Sequence, residues 1–204
     1  MAALEIAAAH HSESSILVVD EVERGLEPYR QRTLMEQLQK SSSQVFLTTH
    51  SAVALRAVDS ASLWYMDTAD AIGRLPDKAT LHEKRDPETF LARIAIVAEG
   101  ATEVGFVIAL LRKAIGEDLL AHGIWVTDGC GNDATLELLE GLANSGLRFG
   151  GFADDEGSSS GKWAEVKKKL DDLLFRWPKG CIEENIIPLI PVASLETFIH
   201  HSEE

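Results

Sequence analysis

Five carboxylates in the second half of the chain stand where apolar runs stop. They are Glu99 and Glu103 in IAIVAEGATEV, Asp128 in VTDGCGND, and Asp154 and Glu156 in GGFADDEG. Short apolar runs bounded by glycine read as strands buried in a sheet, so each acid falls at or just beyond a strand end. A helix starting after Gly100 brings Glu99 and Glu103, four residues apart, toward one point, and the glycine lets a ligand approach the backbone. Oxygen donors gathered in this way attract hard divalent cations. Two such ions about 4 Å apart activate a water and stabilise the leaving oxygen of a phosphodiester. The expected chemistry is phosphoryl transfer with Mg²⁺ or Mn²⁺. Asp154, Glu156 and Glu99 are assigned to the primary cluster, and Glu103 and Asp128 to the second ion or its water. No thiolate cluster selects zinc.

Each acid also has a plainer reading. Glu103 alone is a first-turn helix acid favoured by the dipole, Asp128 alone shapes the turn over 129–131, and 154–156 alone is a solvated loop before GSSSG. Their joint placement favours the functional reading. The elements that must position them alternate as strand and helix over 94–98, 101–115, 124–127, 134–143 and 149–153, with a helix over 162–174. That alternation predicts a mainly parallel α/β sheet with its site at the carboxyl ends of the strands.

The first half carries a similar device. SILVVDE is a continuous apolar run, expected as a strand buried on both faces, that stops at Asp20 and Glu21. In nucleotide-binding folds the first acid orients the water shell of magnesium and the second polarises the attacking water. A helix entered through Pro28 follows, and QVFLTTHS is a second strand ending at His50, placed to contact a γ-phosphate. SLWYM and IGRLPDKATLH read as a hairpin around Pro76 and Asp77, and 83–87 as a linker. The expected domains are therefore 1–86 and 87–204.

Asp20, Glu21 and His50 in this order resemble the Walker B segment, D-loop region and switch histidine of ABC-type ATPases over residues 1–66. The chain has no GxxxxGK[ST] loop and no ABC signature before Asp20, and MAALEIAAAH looks like the helix that follows that signature. ATP binding and hydrolysis are accordingly expected only with parts supplied from elsewhere. Glu99, Glu103 and the Asp154-x-Glu156 pair resemble the Toprim fold over 93–177, with Glu156 where many members have a second aspartate. An ABC-type tail followed directly by Toprim, with the wording VAEGATEVGFV, is similar to the OLD family of ATP-dependent endonucleases related to phage-defence systems. The resemblance implies DNA as substrate, two metal ions, and homo-oligomers formed through the ATPase part. It also implies a basic residue late in the domain, commonly lysine, and none stands out after Lys179.

Composition narrows the rivals. A chain of 204 residues with 45% hydrophobic and 6% aromatic content suits a packed α/β core. Cys130 and Cys181 form no metal or disulfide pattern, and the amino terminus is neither leader nor membrane span, so a soluble cytoplasmic protein is expected. A net charge of −14 argues against coating DNA by phosphate neutralisation. Lys84 and Arg85 are possible local basic contacts, whereas the run 167–169 reads better as a solvated helix face. Tyr29 and Tyr65 both precede the acidic core, which disfavours a covalent topoisomerase step. Two alternatives stand beside the nuclease: a non-catalytic DNA-associated or dimerisation fragment, and a primase-like nucleotidyl transferase. In the tail, Glu183 and Glu196 are taken as structural.

Overall fold

The computed structural model describes residues 16–40, 44–59, 61–67, 70–116, 118–143 and 145–194. The opening MAALEIAAAH and Glu196 lie outside them. The chain divides into two compact units, Met1–Tyr65 with Ile72–Leu91, and Met66–Ala71 with Ala92–Glu204.

In the first unit, β1 (Ile16–Val19) pairs in parallel with β2 (Gln44–Leu47). The helix α1 (Pro28–Lys40) joins them, starting at Pro28 because proline's missing N–H costs nothing in a first turn. Met35 and Leu38 of α1, with Val22 and Ala54, form a core against Leu17, Val19, Val45 and Leu47. Residues of β1 alternate between faces, and Ile16, Val18 and Phe46 on the other face are exposed. The expectation of a strand buried on both faces is therefore corrected. Among the described residues, α1 and the short α2 (Ala52–Arg56) cover one face of this pair.

Strands β3 (Trp64–Met66) and β4 (Ile72–Arg74) pair as a separate two-stranded sheet. Its backbone bonds link Leu75 to Leu63 and Asp67 to Ala71. Pro76 and Asp77 thus lie beyond the hairpin and open α3 (Asp77–Arg85), another correction to the sequence reading. Asp77 suits a helix first turn, and Ala79, His82 and Glu83 bury one helical stripe. Residues 83–87 are not an extended linker. Glu83, 1% exposed, ends that stripe, and α4 (Glu88–Leu91) follows at once.

The second unit is a four-stranded parallel sheet in the order β6-β5-β7-β8. Its strands are β5 (Ile94–Ala98), β6 (Ile124–Asp128), β7 (Phe149–Ala153) and β8 (Leu174–Arg176). On one face Ile96, Ala98 and Phe152 pack with Val104 and Val107 of α5 (Ala101–Ile115). The opposite face carries α6 (Asn132–Leu142), and α7 (Ser160–Leu170) packs against α6. A Cβ on Gly151 would stand 2.6 Å from Leu139 and 2.7 Å from Leu174, so a side chain here would have to displace both leucine ends where α6 packs on the sheet. The mixed α/β fold with its parallel sheet is thus as expected.

One element differs. The helix expected over 162–174 stops at Leu170, and β8 runs parallel to β7 beyond it. The run DDLLFRW has helical apolar spacing, but Asp171 takes φ +48°, which ends the helix. The Lys167 ammonium donates to the carbonyls of Asp171 and Leu174 at 2.6 and 2.8 Å, fixing the turn between helix and strand.

Candidate functional site

In the second unit the chain leaves β5 toward β6 on one side and returns to β7 on the other. The crevice at the carboxyl ends of these strands is the topological switch point at which open parallel sheets bind ligands. Glu99, Asp128 and Asp154 terminate the three strands that meet there.

Glu99 is 8% exposed, and its position is set by two hydrogen bonds to Oε2. The Asn132 amide donates at 2.8 Å and the backbone N–H of Asp154 at 2.9 Å. Both bonds use one oxygen, leaving the other uncommitted by them. Asn132 reaches Glu99 because of the turn after β6. The N–H groups of Gly129 and Gly131 donate to the carbonyls of Ala98 and Glu99 at 2.7 and 2.8 Å, folding the turn across the end of β5. Gly131 takes φ +98°, and a Cβ on Gly129 would overlap the Thr135 side chain, so both glycines are required. Asn132 accepts from the Trp163 indole N–H at 3.0 Å and donates a longer bond, 3.2 Å, to the carbonyl of Asp154. Glu99, Asn132, Trp163 and Asp154 thereby form one buried network.

Glu103 is 7% exposed. A Cβ on Gly100 would lie 3.0 Å from its Oε2, so the glycine lets this carboxylate fold back over the helix start. Asp154, also 7% exposed, has a buried Oδ1 with no hydrogen-bond partner. Burial is the first cause that pushes its carboxyl up, to about 6, and the neighbouring charges of Glu103 and Glu99 add to the shift. A hydrogen bond from the Ile182 N–H opposes it, and Glu183 adds a smaller repulsion. Glu99 and Glu103 therefore lie close enough to Asp154 for their charges to oppose its ionisation.

The other expected ligands sit differently. Asp128 pairs in register with Ala98, and its Oδ1 accepts from the Cys130 N–H at 2.7 Å, which is the turn-shaping role. Glu156 is exposed beyond Asp155, whose carboxylate binds Arg176 at 2.8 Å. Among the described residues, the donors found together with Asp154 are Cys181 and Glu183, with ligand atoms within 4.8 Å of one another.

The sequence pattern singles out none of Asn132, Trp163, Arg176 and Cys181 as site residues, and it takes Glu183 as structural. Arg176 donates from Nε to the carbonyl of Asp154 at 3.0 Å and lies 5.0 Å over the Trp163 ring. It belongs to β8, so reading that segment as helix hid it. Asn132 directly after a Gly-x-Gly turn was the available signal for the amide.

In the first unit Asp20, Glu21 and His50 are exposed. The Thr48 hydroxyl donates to Asp20 at 2.6 Å, and Glu21, at φ +47°, faces Arg24 at 3.6 Å. Glu23 makes the more extensive contacts. Its oxygens accept from the Thr49 hydroxyl at 2.6 Å and the His50 N–H at 2.7 Å. Burial raises the Glu23 carboxyl, but these bonds outweigh it and hold the group below its ordinary range.

No helix among the described residues is long and apolar enough to cross a membrane. No curated protein matches the chain. Residues 2–56 match a family model described as "AAA domain, putative AbiEii toxin, Type IV TA system", a stretch that includes Asp20, Glu21 and His50. The first part of the chain is similar to an AAA-type ATPase domain, a class of nucleotide-hydrolysing enzyme.

Proposed function

We propose that the second unit is the Toprim core of an OLD-type endonuclease that hydrolyses DNA phosphodiesters with divalent metal ions. The observation that carries this reading is Asp154. It is a buried carboxylate with an unpartnered oxygen, crowded by Glu99 and Glu103 at a parallel-sheet switch point. An orphaned buried acceptor beside like charges is costly for a fold with nothing to gain from it, and a cation relieves both terms. The oxygen donors fit Mg²⁺ or Mn²⁺.

When bound, such ions neutralise the cluster and the phosphate and polarise a water. Glu99, held by Asn132 and the Asp154 N–H, is a pre-positioned ligand, and Glu103 and Asp154 supply further oxygens. Asp128, at the end of the neighbouring strand, and Glu156, in the loop after β7, are the proposed further ligands. Water is the proposed nucleophile, because neither tyrosine of the chain belongs to this unit.

The ATPase-like part is read as ABC-type. Asp20, Glu21 and His50 would face Mg²⁺-ATP together with a phosphate loop from outside these residues, and copies of the chain would pair through this part. The test is cleavage of supercoiled plasmid with Mg²⁺ or Mn²⁺, against EDTA and Glu99→Gln. Nicking or linearisation lost in both controls is the expected result. A folded protein that binds metal and leaves the plasmid intact overturns hydrolysis, and primer synthesis under the same conditions would replace it with nucleotidyl transfer.

A further inference from the structure

The sulfur beside Asp154 is foreign to an all-oxygen magnesium site. Cys181 directly precedes α8 (Ile182–Ile186), where its thiol is half-buried and in no disulfide. One ligand atom each from Asp154, Cys181 and Glu183 lies within 4.8 Å of the other two. Donors around a single tetrahedral ion stand about 3.5 Å apart, given metal–sulfur and metal–oxygen bonds of about 2.3 and 2.1 Å. The three donors are grouped closely enough to approach that spacing, and the exposed Glu183 side chain is free to adjust to an ion by a rotamer change.

A cysteine and two acids would carry little weight alone. The independent observation is the Asp154 carboxylate, 7% exposed, whose Oδ1 is buried and bonded to nothing.

We propose that Asp154, Cys181 and Glu183 form a three-donor site for a borderline divalent cation such as Zn²⁺ or Co²⁺, with Cys181 as its thiolate ligand. The inference rests on the reading of Asp154 as a cation ligand and adds which ion the site prefers. Thiolates bind zinc and cobalt far better than magnesium, so this donor set distinguishes metals that the oxygens of Glu99 and Glu103 do not. The thiol loses its proton on binding, which makes affinity for these ions rise with pH. A thiolate ligand also makes the site sensitive to oxidation of Cys181.

The experiment is titration of the whole chain with Co²⁺ in the absence of DNA and nucleotide, following the near-ultraviolet thiolate-to-cobalt charge-transfer band. The chain has one other thiol, at Cys130, so Cys130→Ser is the control. The band is expected in the wild type and in Cys130→Ser and is lost in Cys181→Ser. Zn²⁺ affinity, measured by competition, is expected to fall at least about tenfold in Cys181→Ser and in the exposed-site variant Glu183→Gln. Mn²⁺ affinity should change little in Cys181→Ser.

A wild type without the band, or a band that survives in Cys181→Ser, overturns the proposal. Plasmid cleavage is scored separately. Magnesium-dependent cleavage without the cobalt band removes the sulfur ligand and leaves the nuclease reading standing. The band without cleavage supports the site and counts against the nuclease.

Discussion

Both units use an apolar strand that stops at acid, yet the two strand ends are chemically unlike. In the first unit Asp20 and Glu21 end a pair of strands with one exposed face, and nearby groups answer them: the Thr48 hydroxyl for one, the Arg24 guanidinium for the other. In the second unit four parallel strands carry helices on both faces, and Glu99, Glu103 and Asp154 are each less than a tenth exposed. There the charges of Glu99 and Glu103 act on Asp154, and burial strengthens that repulsion. The covering of a strand end thus decides whether its acid is solvated or poised. The poised end is the one proposed to take a cation.

The largest expected effect breaks this comparison directly. Asp154→Asn and Glu99→Gln should each reduce metal-dependent plasmid cleavage by about a hundredfold or more, since each removes a proposed ligand oxygen. Asp20→Asn should leave cleavage by the second unit unchanged. It should also shift unfolding by no more than about 0.5 kcal/mol, as for exposed substitutions. Equal losses from both strand ends would show that the difference in burial is not what matters.

Next in size is Asn132→Ala. It strips Glu99 of one donor and leaves the Trp163 indole N–H buried without its acceptor. A cost of about 1–3 kcal/mol in denaturant unfolding is expected, with a tenfold to hundredfold loss of metal affinity because the ligand is no longer oriented. Trp163→Phe separates the two consequences. It keeps the Asn132 bond to Glu99 and should lose stability with a smaller change in metal binding.

The sequence made much of this legible, and the exceptions share a cause. Strands β5 and β7 and helix α5 were readable to the residue because their apolar runs are long and end at glycine or acid. Strand β8 was not, because LFR is too short to show alternation and follows a helix whose spacing it continues. The helix ends through the φ +48° of Asp171 and the reach of Lys167 to two carbonyls, neither visible in a pattern of apolar residues. With β8 went Arg176, the cation beside Asp154. The expectation of Glu156 as partner to Asp154 rests on its place just beyond the strand end and on the resemblance to Toprim. In the structure the pairing of Asp155 with Gly180 and Arg176 instead brings up the segment that carries Cys181 and Glu183. Contacts made across more than twenty residues of sequence leave no local trace.

A pH titration sharpens the same contrast. The folded value of Asp154, about 6, stands above its ordinary 3.8, so the metal-free fold resists ionisation there. This group therefore lowers the stability of the metal-free protein as pH rises from about 4 through about 6. A cation that binds the ionised form reverses the sign. The rise in melting temperature on adding Mn²⁺ should be large at pH 7.5 and nearly absent at pH 5. Asp154→Asn should abolish the difference and make the metal-free protein more stable than wild type above pH 6.

The smallest effect isolates burial from clustering. Glu83 in the first unit is also buried and its carboxyl also raised, by burial first, with Lys84 opposing. Its Oε1 has no partner, but no second carboxylate contributes to its shift. Glu83→Gln should raise the melting temperature slightly at pH 7 and leave it unchanged below about pH 4.5, where wild-type Glu83 is already neutral. Mn²⁺ should alter neither result, because a lone buried carboxyl supplies one ligand where a cation needs several. If Mn²⁺ protects wild type and Glu83→Gln to different extents, burial alone suffices to recruit metal, and the convergence of Glu99, Glu103 and Asp154 would lose its special standing.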